Sequence, residues 1–93
     1  MSQIILIGAE WCSPCKFLKA NIAEWAKETH CEIPIMYEEF DGDRHCVDKV
    51  PTLVYKYDGL EKARMIGVNK TEVKLFLSNS VAYDSFLMFG YGD

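Results

Sequence analysis

Apolar residues recur along the chain with two different rhythms. Ile4-Ile5-Leu6-Ile7 is a short unbroken run, the pattern of a strand buried on both faces, and residues 3–8 form the first strand. From Pro14 to about Thr29 the spacing turns helical. Phe17, Leu18, Ile22, Trp25 and Ala26 line one side, and Lys16, Lys19, Glu24, Lys27 and Glu28 face water. His30 falls in the last turn of this helix, and Pro34 follows shortly after its end. Ile33–Phe40 returns to a period of two, with Ile33, Ile35 and Tyr37 on one face. Asp41-Gly42-Asp43 is a turn cluster, and Arg44–Asp48 is at most one helical turn. Thr52–Tyr57 and Glu61–Ile66 flank Asp58-Gly59, the best hairpin signal in the chain. Gly67 ends that pattern. A second helix starts near Asn69 or Lys70-Thr71 and runs from Thr71 to Leu77 or a little beyond, with Val73, Phe76 and Leu77 turned inward.

The order is therefore β-α-β followed by β-β-α. Two strands joined by a helix are parallel with a right-handed crossover. The later pair is an antiparallel hairpin. The natural assembly is an α/β fold, one four-stranded mixed sheet with helices on both faces. The chain has 93 residues, enough for one small domain, and 49% of them are apolar, enough for a core without staples. Residues 1–80 are expected to form that domain. Residues 81–93 carry Tyr83, Phe86, Leu87, Met88, Phe89 and Tyr91, and are expected to pack back on it as an apolar extension.

Charge narrows the partners. The formal net charge of −4, with acids spread along the chain, argues against nucleic-acid binding. No apolar run approaches the length of a membrane span. Met1-Ser2-Gln3 lacks the basic start of a secretion signal, so a cytoplasmic location is expected. Four cysteines are too sparse for a disulfide scaffold, and in a reducing compartment a close pair is catalytic or metal-binding.

The close pair is Trp11-Cys12-Ser13-Pro14-Cys15, set where a strand turns into a helix. Pro14 suits the first helical turn, where its missing N–H is no loss. Cys12 then stands at the helix N-terminus and Cys15 one turn in, on the same face. Their Cα atoms should lie roughly 5–6 Å apart, within disulfide range. The exposed N–H groups at the helix start favour an anion, so Cys12 is the attacking thiolate and Cys15 the protected resolving thiol. Ser13 and Pro14 form the loop between them, and Trp11, just before the nucleophile, is expected to border the surface where a partner docks, the alternative being packing against the sheet. The competing reading is a structural disulfide or half a zinc site. Cys31 and Cys46 lie too far apart for a second Cys-x-x-Cys, though His30 and His45 beside them leave zinc open. With redox exchange favoured, Cys31 and Cys46 read as inert small residues, and no metal or bound cofactor is expected.

In these residues the chain resembles the thioredoxin family. Ala9-Glu10-Trp11-Cys12-x-Pro14-Cys15-Lys16 matches the family's active-site segment, with Ser13 where glycine is usual. Val50-Pro51-Thr52-Leu53 is similar to its cis-proline segment, Tyr55-Lys56-Tyr57-Asp58-Gly59 to its hairpin, and Gly67 with Lys70-x-x-Val73-x-x-Phe76-Leu77 to its last loop and helix. The resemblance covers about residues 3–79. It implies a thioredoxin-like fold lacking the usual N-terminal strand and helix, a trimming more like glutaredoxins. It implies a cis Val50–Pro51 bond that brings the Val50 backbone beside Cys12, and a substrate surface of Trp11, Val50, Pro51 and Gly67. There are departures. Leu6 occupies the place of the family's buried aspartate, Tyr37 appears where a lysine is common, and Ala20 replaces a kinking proline. With Leu6 there, the resolving thiol is expected to rely on water or on a substitute acid such as Glu10.

The function implied is thiol–disulfide exchange. In the first version the protein is a monomeric protein-disulfide reductase and electron carrier, acting on disulfide-containing proteins and recharged by thioredoxin reductase or glutathione. In the second it is a glutathione-dependent glutaredoxin. The Gly67-Val68-Asn69-Lys70 loop speaks against that, because glutaredoxins usually carry an acidic glutathione-binding loop there. In the third the fold serves as a non-catalytic interaction subunit, which the retained cysteines disfavour.

Overall fold

The computed structural model describes residues 1–41 and 47–89. Six elements follow in the order β1 (Ser2–Gly8), α1 (Ser13–Glu28), β2 (Ile35–Glu39), β3 (Thr52–Tyr57), β4 (Leu60–Ile66) and α2 (Lys70–Phe89). The strands form one sheet in the order β2-β1-β3-β4. β1 runs parallel to β2, as a helical crossover requires, and antiparallel to β3, which pairs antiparallel with β4. The turn cluster at Gly42-Asp43 and most of the expected single helical turn, Arg44–Cys46, lie outside the described residues.

Both helices pack on the same face of the sheet, which corrects the expectation of a helix on each face. The register gives the reason. Ile4, Leu6, Ile35, Tyr37, Leu53, Tyr55, Ala63 and Met65 share one side, and all of them are apolar or aromatic. Leu18, Ile22, Trp25 and Ala26 of α1 and Val73, Phe76 and Leu77 of α2 close over that side as the main core. The other side carries Gln3, Glu38, Lys56 and Arg64 around a small apolar centre of Ile5, Ile7 and Val54. Val47, Val50 and Phe40, from the link between β2 and β3, cover that centre.

The ends of α1 show local sequence at work. Cys12 is its N-cap in extended conformation, with Pro14 in the first turn. At the other end the Cys31 N–H donates to the Ala26 carbonyl at 2.8 Å and the His30 N–H to Lys27 at 3.1 Å. This is a Schellman closure, with His30 in the left-handed position at φ 58° where glycine is usual. His30 therefore lies past the helix and not in its last turn. Phe17, expected on the buried stripe, is 51% exposed and packs edge-on against Trp25 with ring centroids 5.9 Å apart.

α2 begins where Asn69 accepts the Glu72 N–H on its side chain at 3.0 Å, which decides between the two starts expected, Asn69 and Lys70-Thr71. It does not stop near Leu77. Residues 70–89 form one helix, so the boundary expected at residue 80 falls inside it. Ser78-Asn79-Ser80 looks like a break, but no glycine or proline follows until Gly90, and Ser80 is buried against the domain. Farther along, the Tyr55 hydroxyl donates to Asp84 Oδ1 at 2.9 Å and the Tyr83 ring lies 6.0 Å from that of Tyr55. Glu28, near the end of α1, accepts from Lys74 of α2 at 2.8 Å.

Candidate active site

β1 ends at Gly8, and the chain turns through Ala9–Trp11, where the Cys12 N–H donates to the Ala9 carbonyl at 3.1 Å. That turn places both cysteines at the start of α1, over the C-terminal edge of the sheet. Their sulfurs are joined in a disulfide, with Cα atoms 5.2 Å apart. Cys12 Sγ accepts the Cys15 N–H at 3.2 Å. A sulfur that already receives a helix N-terminal N–H has a ready partner for the charge it carries as a thiolate. Cys15 is 1% exposed and Cys12 7%, so the outer of two shielded sulfurs is Cys12.

Ala9, Cys12 and Cys15 pack with Phe40 and Val50. The Val50–Pro51 bond is cis. Gly67, at φ 126°, donates its N–H to the Pro51 carbonyl at 3.1 Å, which ties the end of β4 to the cis-proline loop. Trp11 is 76% exposed. It forms one wall of a groove of about 360 Å3 with Phe40, Asp48, Lys49, Val50 and Ile66. Of the residues singled out from sequence, Val50 packs with the cysteine pair and shares the groove with Trp11, and Pro51 and Gly67 are joined to each other beside Val50. Phe40, Asp48, Lys49 and Ile66 complete the groove and were missed. Phe40 read as the last residue of an ordinary strand and Ile66 as a hairpin end, and nothing local marks either one.

Under the pair the structure adds a cluster that spacing did not reveal. A Cβ on Gly8 would stand 3.0 Å from Cys15 Cβ, 3.3 Å from Cys15 Sγ and 3.2 Å from Tyr37 Cε1. The Tyr37 ring and Cys15 therefore both stand close over Gly8, and a side chain there would press on both. The Tyr37 hydroxyl donates to Glu39 Oε1 at 3.0 Å, and Glu39 Oε2 accepts the Glu10 N–H at 3.0 Å. Burial first, then Glu39, pushes the Tyr37 hydroxyl up from its ordinary value. Lys19 Nζ stands 4.1 Å above the Tyr37 ring. Leu6 is buried in the main core and also lines a cavity of about 220 Å3 with Tyr37, Lys19 and Ile22. Glu10, expected as a substitute acid, meets this cluster through its backbone N–H. Cys31 is buried, and burial pushes its thiol up, away from reactivity. Cys46 and His45 lie outside the described residues. Among the described residues no group of His, Cys, Asp and Glu is arranged to hold a metal ion.

A mixed sheet with a bonded Cys-x-x-Cys at a helix N-terminus beside a cis-proline defines a thiol–disulfide oxidoreductase of the thioredoxin type. The thioredoxin family profile matches residues 2–79, and the chain belongs to that family. It is 34% identical over 86 residues to a thioredoxin of Chlamydia pneumoniae, covering 86% of this chain and 81% of that one. It is 27% identical over 75 residues to a thioredoxin H-type of Oryza sativa subsp. indica, covering 76% of this chain and 62% of the rice protein. Among solved structures, Fasciola hepatica thioredoxin superposes with a TM-score of 0.73 at 25% identity, covering 85% of this chain and 80% of that one. The oxidised thioredoxin of Plasmodium falciparum gives 0.72 at 20% identity, with 84% and 79% covered, a likeness of fold. None of the described helices is long and apolar enough to cross a membrane.

Proposed function

We propose that the protein is a cytoplasmic, monomeric protein-disulfide reductase that carries electrons to disulfide-bearing proteins. The observation that carries this reading is the Cys12–Cys15 disulfide capping α1 beside an open groove. In the reduced state the Cys12 thiolate attacks one sulfur of a partner disulfide. A Cys12–partner disulfide forms, and the other partner sulfur leaves as a thiolate and takes up a proton. Cys15 then loses its proton and attacks Cys12 Sγ. The Cys12–Cys15 bond forms and the second partner thiol is released. Two electrons pass from the dithiol to the partner, and no bound cofactor takes part. Trp11, Val50, Pro51 and Gly67 hold the partner's chain, and Ser13-Pro14 shapes the loop between the sulfurs. The backbone groups of Val50 suit an extended partner segment added like a strand.

Electrons are resupplied by thioredoxin reductase, with glutathione as the alternative donor. The loop Gly67–Lys70 carries no acidic residue to bind the glutathione amine, which favours the reductase. The test is insulin reduction with a thioredoxin reductase and NADPH, against glutathione and its reductase. Turnover in the first system is expected to exceed that in the second by about tenfold or more, a difference of ~1.4 kcal/mol per decade. Turnover in neither would overturn the reading. Iodoacetamide at neutral pH should label Cys12 before Cys15 and Cys31 in the reduced protein. Cys15→Ser should accumulate a mixed disulfide that Cys12→Ser does not form. Labelling of Cys15 first would reverse the two roles.

A further inference from the structure

The groove beside the cysteine pair does not end at Ile66. Ile66 also lines a second groove of about 260 Å3, formed with Met65 on the edge strand β4 and with Leu75, Phe76, Glu72 and Asn79 on α2. Successive residues of a strand point to opposite faces, so Met65 and Ile66 carry the apolar surface around the sheet edge from one face to the other. Leu75 is 60% exposed there although it points away from the core that Val73, Phe76 and Leu77 fill. Single exposed apolar residues are ordinary, but this one continues an apolar path that begins at Trp11.

We infer that this second groove binds the chain of the same disulfide-bearing partner, as an apolar segment next to its reactive cysteine that ends in a basic residue. The inference rests on the reductase reading above. A partner chain lying along the first groove and leaving past Ile66 runs directly onto Met65 and Leu75. From Glu72 to Asn79 the helix rises about 10 Å, a length that three or four extended residues cover at roughly 3.3 Å each. Alternate side chains of such a segment face the groove, so apolar residues at every second position suit it. Glu72 supplies the only charge in the lining, which sets the preference for lysine or arginine at the end.

The test uses the full chain and small disulfide-cyclised peptides. One peptide carries a six-residue extension of alternating leucine and serine closed by lysine. The second ends in glutamate instead, and the third has serine throughout before the lysine. Each is made with the extension on the amino side and on the carboxyl side of the ring. In one of the two orientations the leucine–lysine peptide is expected to show a KM about tenfold below the serine peptide, or ~1.4 kcal/mol. Leu75→Glu should abolish that difference and leave the rate with a small aromatic disulfide unchanged. Leu75→Ser is the milder replacement should the glutamate disturb folding. Glu72→Lys should reverse the preference between the lysine and glutamate ends. Equal KM values in the wild type, or an advantage that persists in the Leu75 variants, would overturn the inference while insulin reduction stands. A wild-type dimer by light scattering that Leu75→Glu dissociates would assign the face to a second copy and also overturn it. Failure to reduce insulin and every peptide would remove the reductase reading, and this inference with it.

Discussion

Gly8 is the residue on which the site's packing turns. It is the last residue of β1, and its missing side chain lets Tyr37 and Cys15 both stand close over it. Gly8→Ala would force a methyl to within 3.0 Å of Cys15 Cβ and 3.2 Å of Tyr37 Cε1. The expected cost is about 1–3 kcal/mol in urea unfolding, the usual range for an overpacked site. An unchanged midpoint would mean that the ring swings away freely. Leu6, one strand position from Ile7 and directly across from Tyr37, is 1% exposed. A carboxylate there is buried, with Leu53 as its other cross-strand neighbour, and no hydrogen-bond donor among the described residues is built to receive it. Leu6→Asp should therefore lose ~3 kcal/mol or more at pH 7. Burial raises the folded carboxyl's pKa, so its protonated form is the one the fold tolerates. Part of the lost stability should return as the pH falls below the raised value, and denaturation midpoints at pH 7 and pH 5 check this. Loss of equal size at both values would mean that the defect is one of shape and not of charge.

At the scale of elements, α2 joins the most distant parts of the chain. Its first turns pack on the core, Lys74 meets Glu28 of α1, and Asp84 holds the hydroxyl of Tyr55 on β3. Val81 packs against the core, and Tyr83 stacks obliquely on Tyr55. We propose that residues 81–93 belong to the domain's own stability and not to a separate docking arm. Deleting them should lower the melting temperature by several degrees, since losing ~1–2 kcal/mol shifts so small a domain by about 4–8 °C per kcal/mol. Cys12 should stay reactive in the truncated protein. An unchanged melting temperature with loss only of activity toward a partner would assign the segment to docking. Within the same helix, Ser80 Oγ is buried and has no hydrogen-bond partner among the described residues. Ser80→Ala removes an unsatisfied group and should stabilise by about 1 kcal/mol in the same urea assay. Destabilisation would show that the hydroxyl is satisfied in solution.

For the molecule as a whole, the main core closes over Tyr55, a fully buried titratable group. Burial first, then its bond to Asp84, pushes its hydroxyl well above the ordinary tyrosine value. The unfolded chain releases this proton at about pH 10, while the folded protein keeps it. The stability contributed is thus complete below about pH 10 and is lost as the pH rises toward the raised value. Tyr55→Phe should cost ~1 kcal/mol at pH 7 through the lost hydrogen bond. Above pH 10 the wild type should lose stability faster than the variant, so the gap closes. Parallel pH profiles would show that Asp84 and Tyr55 do not hold this proton together.

The sequence alone determined the elements whose signals are local. The Ile4–Ile7 run and the Asp58-Gly59 turn each act within a few residues, and the structure keeps both; of the two helix starts the sequence offered, Asn69 or Lys70-Thr71, it caps the helix with Asn69. The Cys-x-x-Cys at a strand-to-helix turn was legible for the same reason, because its geometry depends on one helical turn. What lay beyond reach depended on contacts between distant segments. Only the register of the sheet shows that the middle of one face is apolar from β2 to β4, and that is why both helices share it. Only packing carries α2 through Ser78-Asn79-Ser80, because Ser80 finds the core and Asp84 finds Tyr55. Gly8, Tyr37, Glu39, Phe40 and Ile66 carry no motif. They become part of the site because parallel pairing of β1 with β2 and the end of the edge strand β4 bring them to the same end of the sheet as Cys12.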